Sequence, residues 1–271
     1  MDLQLTGKTA LVTGSSSGIG RSIAEVLARE GAAVIVHGRN LERLEAVVAG
    51  IRAAGGTAYP LVGEMEQQAD VEKLASDALA ICGGVDILIN NAGGRAKVDS
   101  LDVLEVGAEN WLSTMQINVT SCLTLAQRLV VGMVERKWGR IINISSAAGS
   151  YIRRRSPPDY AASKSALNSL TLSLANGLRE TGVSVATVSP GPILTPSLEG
   201  FIRREICKNN PSMDFAEAER IAARDYFDIP LGRLGRPEEV AAIVAVMVSP
   251  VGGFCHGTNV HIDGGSIGMI N

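Results

Sequence analysis

The chain has 271 residues, long enough for one large domain with a substantial buried core. A composition of 46% hydrophobic and 20% charged residues is that of an ordinary globular protein, and a net charge of −3 argues against a nucleic-acid partner, which normally meets a basic face. Four cysteines (Cys82, Cys122, Cys207, Cys255) and three histidines lie scattered, without CxxC or zinc spacing, so inert thiols and no metal are expected. The first residues, MDLQLTGKTALVTG, lack the basic region and apolar core of a signal peptide. The longest apolar run, residues 240–248, is too short to cross a bilayer, so a cytoplasmic protein with no membrane partner is expected.

Seven short runs rich in Val and Ile read as strands: residues 9–14, 32–38, 57–63, 85–93, 139–146, 183–191 and 259–265. Several are apolar without alternation, as strands covered on both faces should be. Helical patterns such as residues 20–31 and 41–56 separate them, each closing on glycine, which ends helices readily. Alternating β and α units predict an α/β fold: a doubly wound, seven-stranded parallel sheet with helices on both faces, Rossmann-type. No linker or repeat divides the chain, so residues 1–271 read as a single domain. From residue 192 to 235 the strand rhythm stops and two helical patterns flank the turn KNNPS. Such an excursion at the carboxyl end of a strand is expected to cover a substrate; a packing appendage or subunit contact is the alternative.

The first predicted strand runs into TGSSSGIG (13–20) and then a helix. Gly14, Gly18 and Gly20 would let the backbone turn tightly and approach a phosphate at the positive helix end. The spacing GxxxGxG differs from GxGxxG; its place in a strand–loop–helix unit is what marks a dinucleotide site. The letters Gly14-Ser15-Ser16-Ser17-Gly18 also fit a nucleophile elbow with Ser16 as an esterase serine, although no HGGG-type loop precedes it. After the second strand, where NAD sites carry a ribose-binding carboxylate, stand Gly38 and Arg39. A guanidinium there favours NADP over NAD, with Glu42 as the alternative ribose ligand.

Tyr160 and Lys164 stand four apart in a helical pattern and so share a face. An ammonium beside a phenol favours the phenolate over its usual pKa of about 10, and a cationic nicotinamide pushes the same way. That makes a general acid/base usable near neutral pH. Ser146, at the end of the preceding strand, could hold a substrate carbonyl while Tyr160 delivers a proton and the cofactor a hydride.

Together with NNAG (90–93), INVTS (117–121), GRIINISS (139–146), YAASK (160–164), SPGPILTP (189–196), GRLGRPEEVA (232–241) and IDGG (262–265), these residues resemble the short-chain dehydrogenase/reductase family over nearly the whole chain, in its 3-oxoacyl carrier-protein reductase-like branch. The resemblance implies a catalytic set of Asn118, Ser146, Tyr160 and Lys164, with Asn118 kinking its helix and holding a water in a proton relay. It places Gly14, Ser16, Ser17, Gly18, Ile19 and Gly20 against the cofactor. Glu64 and Met65 stand at the adenine, and Asn91, Ala92 and Gly93 line the adenosine side. Tyr160 is among the cofactor-binding residues and Lys164 holds the nicotinamide ribose, while Pro190, Gly191, Ile193 and Thr195 contact the nicotinamide end and pyrophosphate. Ser146 rather than Ser145 is chosen because the active serine usually precedes a short xxG step, here Ala147-Ala148-Gly149.

The chain departs from the family pattern at four points. Ser146 and Tyr160 are one residue further apart than usual, so the RRRSPP loop carries an insertion. Glu64 replaces the usual aspartate, Ser189 the usual asparagine, and Ser17 stands where NADP-preferring members often carry a basic residue. Arg153, Arg154 and Arg155 are expected to rim the substrate mouth, where they could steer an anion together with Arg95 and Lys97; a solvated loop or subunit salt bridge is the alternative. The function implied is NADP(H)-dependent interconversion of a ketone or 3-oxoacyl-type carbonyl and a secondary alcohol. An NAD-dependent sugar, polyol or steroid alcohol dehydrogenase is the alternative, and a non-catalytic dinucleotide-binding regulator the different class. A homotetramer, or a dimer, is expected through the helical regions 104–136 and 160–178 and the last strand, whose helices carry more apolar surface than one sheet face covers.

Overall fold

Along β1 (Thr9–Val12), Ala10 and Val12 bury against one helical layer and Leu11 against the other, which is why the strand is apolar throughout. In β4 (Ile87–Asn90) the same alternation sends Ile87 and Ile89 to one face and Leu88 to the other. The remaining strands are β2 (Ala33–Gly38), β3 (Thr57–Val62), β5 (Gly139–Ile144), β6 (Val183–Pro190) and β7 (Asn259–Ile262). All pair in parallel in the order β3-β2-β1-β4-β5-β6-β7, the doubly wound seven-stranded sheet expected. The computed structural model describes residues 2–95, 100–153 and 156–268, with only the backbone of Asn209. Lys97, Arg154 and Arg155 lie outside the described residues.

One face of the sheet is covered by α1 (Gly18–Arg29), α2 (Leu41–Ala53) and α9 (Pro237–Val248). The other carries α3 (Gln68–Cys82), α5 (Ser121–Glu135) and α6 (Pro158–Gly177). Helix α2 starts at its expected residue because the Asn40 side chain caps it, accepting from Arg43 N at 2.9 Å. It stops at Ala53, short of the expected residue 56, where Gly55 takes φ +86°. The strands end earlier than their apolar runs because the last residues leave the ladder to build loops. Asn91, for example, donates its N–H to the Thr13 hydroxyl at 3.0 Å instead of continuing β4.

From Ala108 to Glu135 the chain is helical without a break, through α4 (Ala108–Met115), a π-helical turn (Gln116–Thr120) and α5. Its 28 residues and an 18-residue stretch of mean hydropathy 1.4 would suffice, by those measures alone, to span a bilayer. A search for unbroken apolar runs misses it because polar residues such as Asn118 punctuate it. Leu125, Leu129 and Met133 seat it against the sheet as a layer helix. The excursion after β6 forms α7 (Pro196–Glu205) and α8 (Phe215–Ile221) around a small core of its own, with Ile202, Ala218, Ala222 and Leu234 buried. Phe201 meets Tyr226 edge-on at 5.2 Å.

Candidate active site

β1 and β4 are sheet neighbours whose crossovers run to opposite sides, so a crevice opens beyond their carboxyl ends. There the loop after β1 and the NNAG segment are stitched together. The Thr13 hydroxyl accepts from Asn91 N and from Ala92 N at 2.9 Å, while the Asn91 amide donates to Thr13 O at 2.9 Å and Gly14 O at 3.1 Å. Gly14 has φ +64°, and a Cβ on it would stand 2.8 Å from Ala92 Cα, so only glycine fits. A cleft of about 380 Å³ opens here, bordered by Gly14, Ser16, Ser17, Asn91, Ala92 and Gly93. Gly18, Ile19 and Gly20 form the first turn of α1 behind it, with Ile19 packed on the core.

The far wall comes from the ends of β2 and β3. Arg39, Glu64 and Met65 all border the cleft, whereas Glu42 stands outside it in the first turn of α2. His37, which sequence reasoning missed, lies beneath the glycine loop. Gly14 N–H donates to its Nδ1 at 3.2 Å, so Nδ1 is bare and Nε2–H donates to Gly63 O at 3.2 Å. Burial pushes its pKa from 6.5 to about 4, opposed by the Gly63 carbonyl, and the ring stays neutral. With both ring nitrogens spent, His37 is no base for Ser16, and no other described residue hydrogen-bonds the Ser16 hydroxyl. The esterase reading loses its base.

The predicted acid/base residues gather between this cleft and α6. The Lys164 ammonium, 3% exposed, donates to Ile144 O at 2.9 Å and sits 5.6 Å from the centre of the Tyr160 ring. Asn118 lies in the π turn, a local bulge of the kind that re-aims side chains at sites. Its amide donates to Gly94 O at 2.7 Å and Ser163 Oγ at 3.0 Å and accepts from Gly94 N at 3.0 Å. Gly93 separates Asn118 from Lys164: a Cβ there would stand 2.7 Å from Asn118 Oδ1 and 3.2 Å from Lys164 Nζ. The Tyr160 hydroxyl makes no hydrogen bond to any described residue, which leaves it available to a ligand.

The two serines after β5 differ in what they can do. The buried Ser145 hydroxyl is spent on Lys164 O at 3.2 Å. Ser146 caps the turn of residues 147–149 by accepting from Ala148 N at 3.1 Å, which leaves its own proton free to donate. Ser146 faces a second cavity of about 210 Å³, bounded also by Gly191, Leu198 of α7 and Phe227. The excursion therefore forms a wall of the space in front of Ser146. Pro190 ends β6, and Ile193 bridges to Gly235. Thr195 caps α7 by accepting from Leu198 N at 3.3 Å, and a Cβ on Gly18 would meet its methyl at 3.1 Å, so this segment closes over the glycine loop.

Arg95 borders the nucleotide cleft, but its Nε donates to the fully buried Asp159 at 2.7 Å, with Thr114 Oγ1 on the other carboxylate oxygen at 2.8 Å. Its charge is spent on fixing the residue before Tyr160 rather than on steering a substrate. Cys122, fully buried, has its thiol pushed up to about 11 by desolvation and is inert at neutral pH.

Residues 8–205 match the family profile described as short chain dehydrogenase. The chain belongs to the short-chain dehydrogenase family. It is an NAD(P)-dependent oxidoreductase acting on CH–OH and carbonyl groups. Among short-chain dehydrogenase relatives, the 3-oxoacyl-[acyl-carrier-protein] reductase FabG of Aquifex aeolicus is 34% identical over 98% of this chain and 99% of its own. The L-sorbose reductase from Gluconobacter frateurii, solved with NADPH and L-sorbose, superposes with a TM-score of 0.92 at 29% identity over 100% of both chains. A 3-oxoacyl (acyl-carrier-protein) reductase from Agrobacterium tumefaciens C58 with NADP bound gives 0.83 at 31% identity, covering 97% of this chain and 95% of its own.

Proposed function

We propose that the protein is an NADP(H)-dependent reductase that interconverts a 3-oxoacyl-type ketone and a secondary alcohol, the whole chain working as one dinucleotide-binding domain in the cytoplasm. The observation that carries this is the gathering of Tyr160, Lys164 and Asn118 beside the glycine-loop cleft, with a free-donor Ser146 on the adjoining cavity. The glycine cradle at Gly14, which any Cβ would fill, fits a pyrophosphate, and Arg39 on the cleft wall fits a 2′-phosphate. NADPH or NADP in two of the solved relatives supports the same cofactor.

When bound, the nicotinamide supplies or accepts the hydride. The Ser146 hydroxyl donates to the carbonyl oxygen and holds the carbon in place for attack. Tyr160 gives its proton to that oxygen as the C–H bond forms, and takes it back in the reverse direction. The Lys164 ammonium, held by Ile144 O, stabilises negative charge left on the tyrosine oxygen. Asn118 keeps the loop of Gly93 and Gly94 in place around that ammonium.

The test is a panel of oxo compounds assayed with NADPH and NADH side by side. A charge-assisted contact from Arg39 predicts kcat/KM about 10- to 100-fold higher with NADPH. Equal use of NADH would overturn the cofactor reading. A ketose is the second substrate class, favoured by the likeness to L-sorbose reductase, and L-sorbose belongs in the panel. We place the subunit contacts of a homotetramer on the exposed apolar residues Leu112 of α4, Val131 of α5 and Leu172 of α6.

A further inference from the structure

Arg153 stands at the edge of the cavity that holds Ser146, and its guanidinium reaches across two neighbouring segments. Nη1 donates to the carbonyl of Phe227 in the excursion, and Nη2 donates to Ser266 O near the carboxyl end at 2.7 Å. Its backbone N–H is fixed to Ser156 Oγ at 3.0 Å. Both guanidinium partners are neutral, and two of five donors are used. Of the arginines that border the two cavities, Arg95 is paired with Asp159, whereas Arg39, on the wall of the nucleotide cleft, forms no ion pair with a described residue. Among the described residues none forms an ion pair with Arg153. Asp263, the carboxylate nearest in sequence to Ser266, accepts from Gly265 N, Ser266 Oγ and Ile267 N within its own turn.

The partly buried guanidinium is held by two neutral carbonyls beside Leu198, Phe227 and Pro192, with no carboxylate of the described residues against it, and so is placed to meet an anion. At about 210 Å³ the cavity encloses only a compact group, so a carbonyl at Ser146 and an anion at Arg153 lie close together on the ligand. We propose that Arg153 is a specificity-determining residue that binds the carboxylate of a short oxo acid while Ser146 holds its ketone oxygen. This rests on the reductase reading above, and the three unused N–H donors supply the forked geometry that carboxylates take.

The experiment compares matched pairs differing only in that charge: acetoacetate with methyl acetoacetate, and 4-oxopentanoate with its methyl ester, each with NADPH. Wild-type enzyme is expected to show kcat/KM about 10- to 100-fold higher for each acid than for its ester. Arg153→Gln should raise KM for the acids far more than for their esters, so that the advantage disappears, and Arg153→Lys should keep part of it. Loss of the carbonyl contacts at Phe227 and Ser266 would lower both members of a pair equally, so an equal fall overturns the proposal, as does a wild-type enzyme indifferent to the charge. Reduction of neutral ketones without any preference for acids sinks this inference alone; no reduction of any oxo compound sinks the reductase reading itself.

Discussion

Acidification is expected to destabilise the protein through His37 before the strongly paired carboxylates respond. The imidazole is 1% exposed, and its pKa is pushed down from 6.5 to about 4. Between those values the unfolded chain binds a proton that the folded chain refuses, so stability is complete above pH 6.5 and falls as the pH falls toward 4. At about 1.4 kcal/mol per pH unit, that gap is worth about 3 kcal/mol. The molecular cost is visible: a proton on Nδ1 would face the Gly14 N–H that now donates to it. Other carboxylates fade over the same range, so the comparison is with His37→Asn, whose amide oxygen can accept from Gly14 but does not titrate. Glu239, held at about 2 by Arg233, loses its contribution only below its ordinary 4.5 and does not blur the range. Urea unfolding at steps from neutral pH to pH 4 should show the wild-type advantage over the variant shrinking by about 3 kcal/mol. A constant difference across that range would refute the neutral, buried imidazole.

Gly14→Ala is expected to cost more than about 2 kcal/mol and abolish NADPH binding, since a positive φ and the approach to Ala92 both exclude a methyl; thermal melting and nucleotide fluorescence titration check it, and wild-type affinity would contradict it. Asp159→Asn removes the buried carboxylate held by Arg95 Nε and Thr114 Oγ1 and should cost about 3 kcal/mol in urea unfolding. A cost near zero would show that the pair does not tie the loop after β4 to α6.

Tyr160 and Lys164 were legible because one helical turn fixes their common face whatever the rest of the chain does, and the sheet because runs such as ILIN carry their burial in their composition. What escaped was set by partners distant in sequence. Arg95 reads as a free cation until folding brings Asp159, 64 residues away, against it. Arg153 reads as one of three loop arginines, yet its partners lie 74 and 113 residues on and fix it in a specific place. His37 lies two residues before Arg39 in an apolar strand, and no local pattern says that its ring turns under Gly14. Glycine-loop residues 18–20 form the first turn of α1, the helix end at which the phosphate is expected from the sequence.

The central claim is that the phenol of Tyr160 moves the proton while the scaffold around it holds the nucleotide, and Tyr160→Phe separates the two functions. NADPH reduction of the best oxo substrate should fall by at least about 10²-fold, while NADPH still binds in a fluorescence titration. A variant that turns over at the wild-type rate would contradict the account.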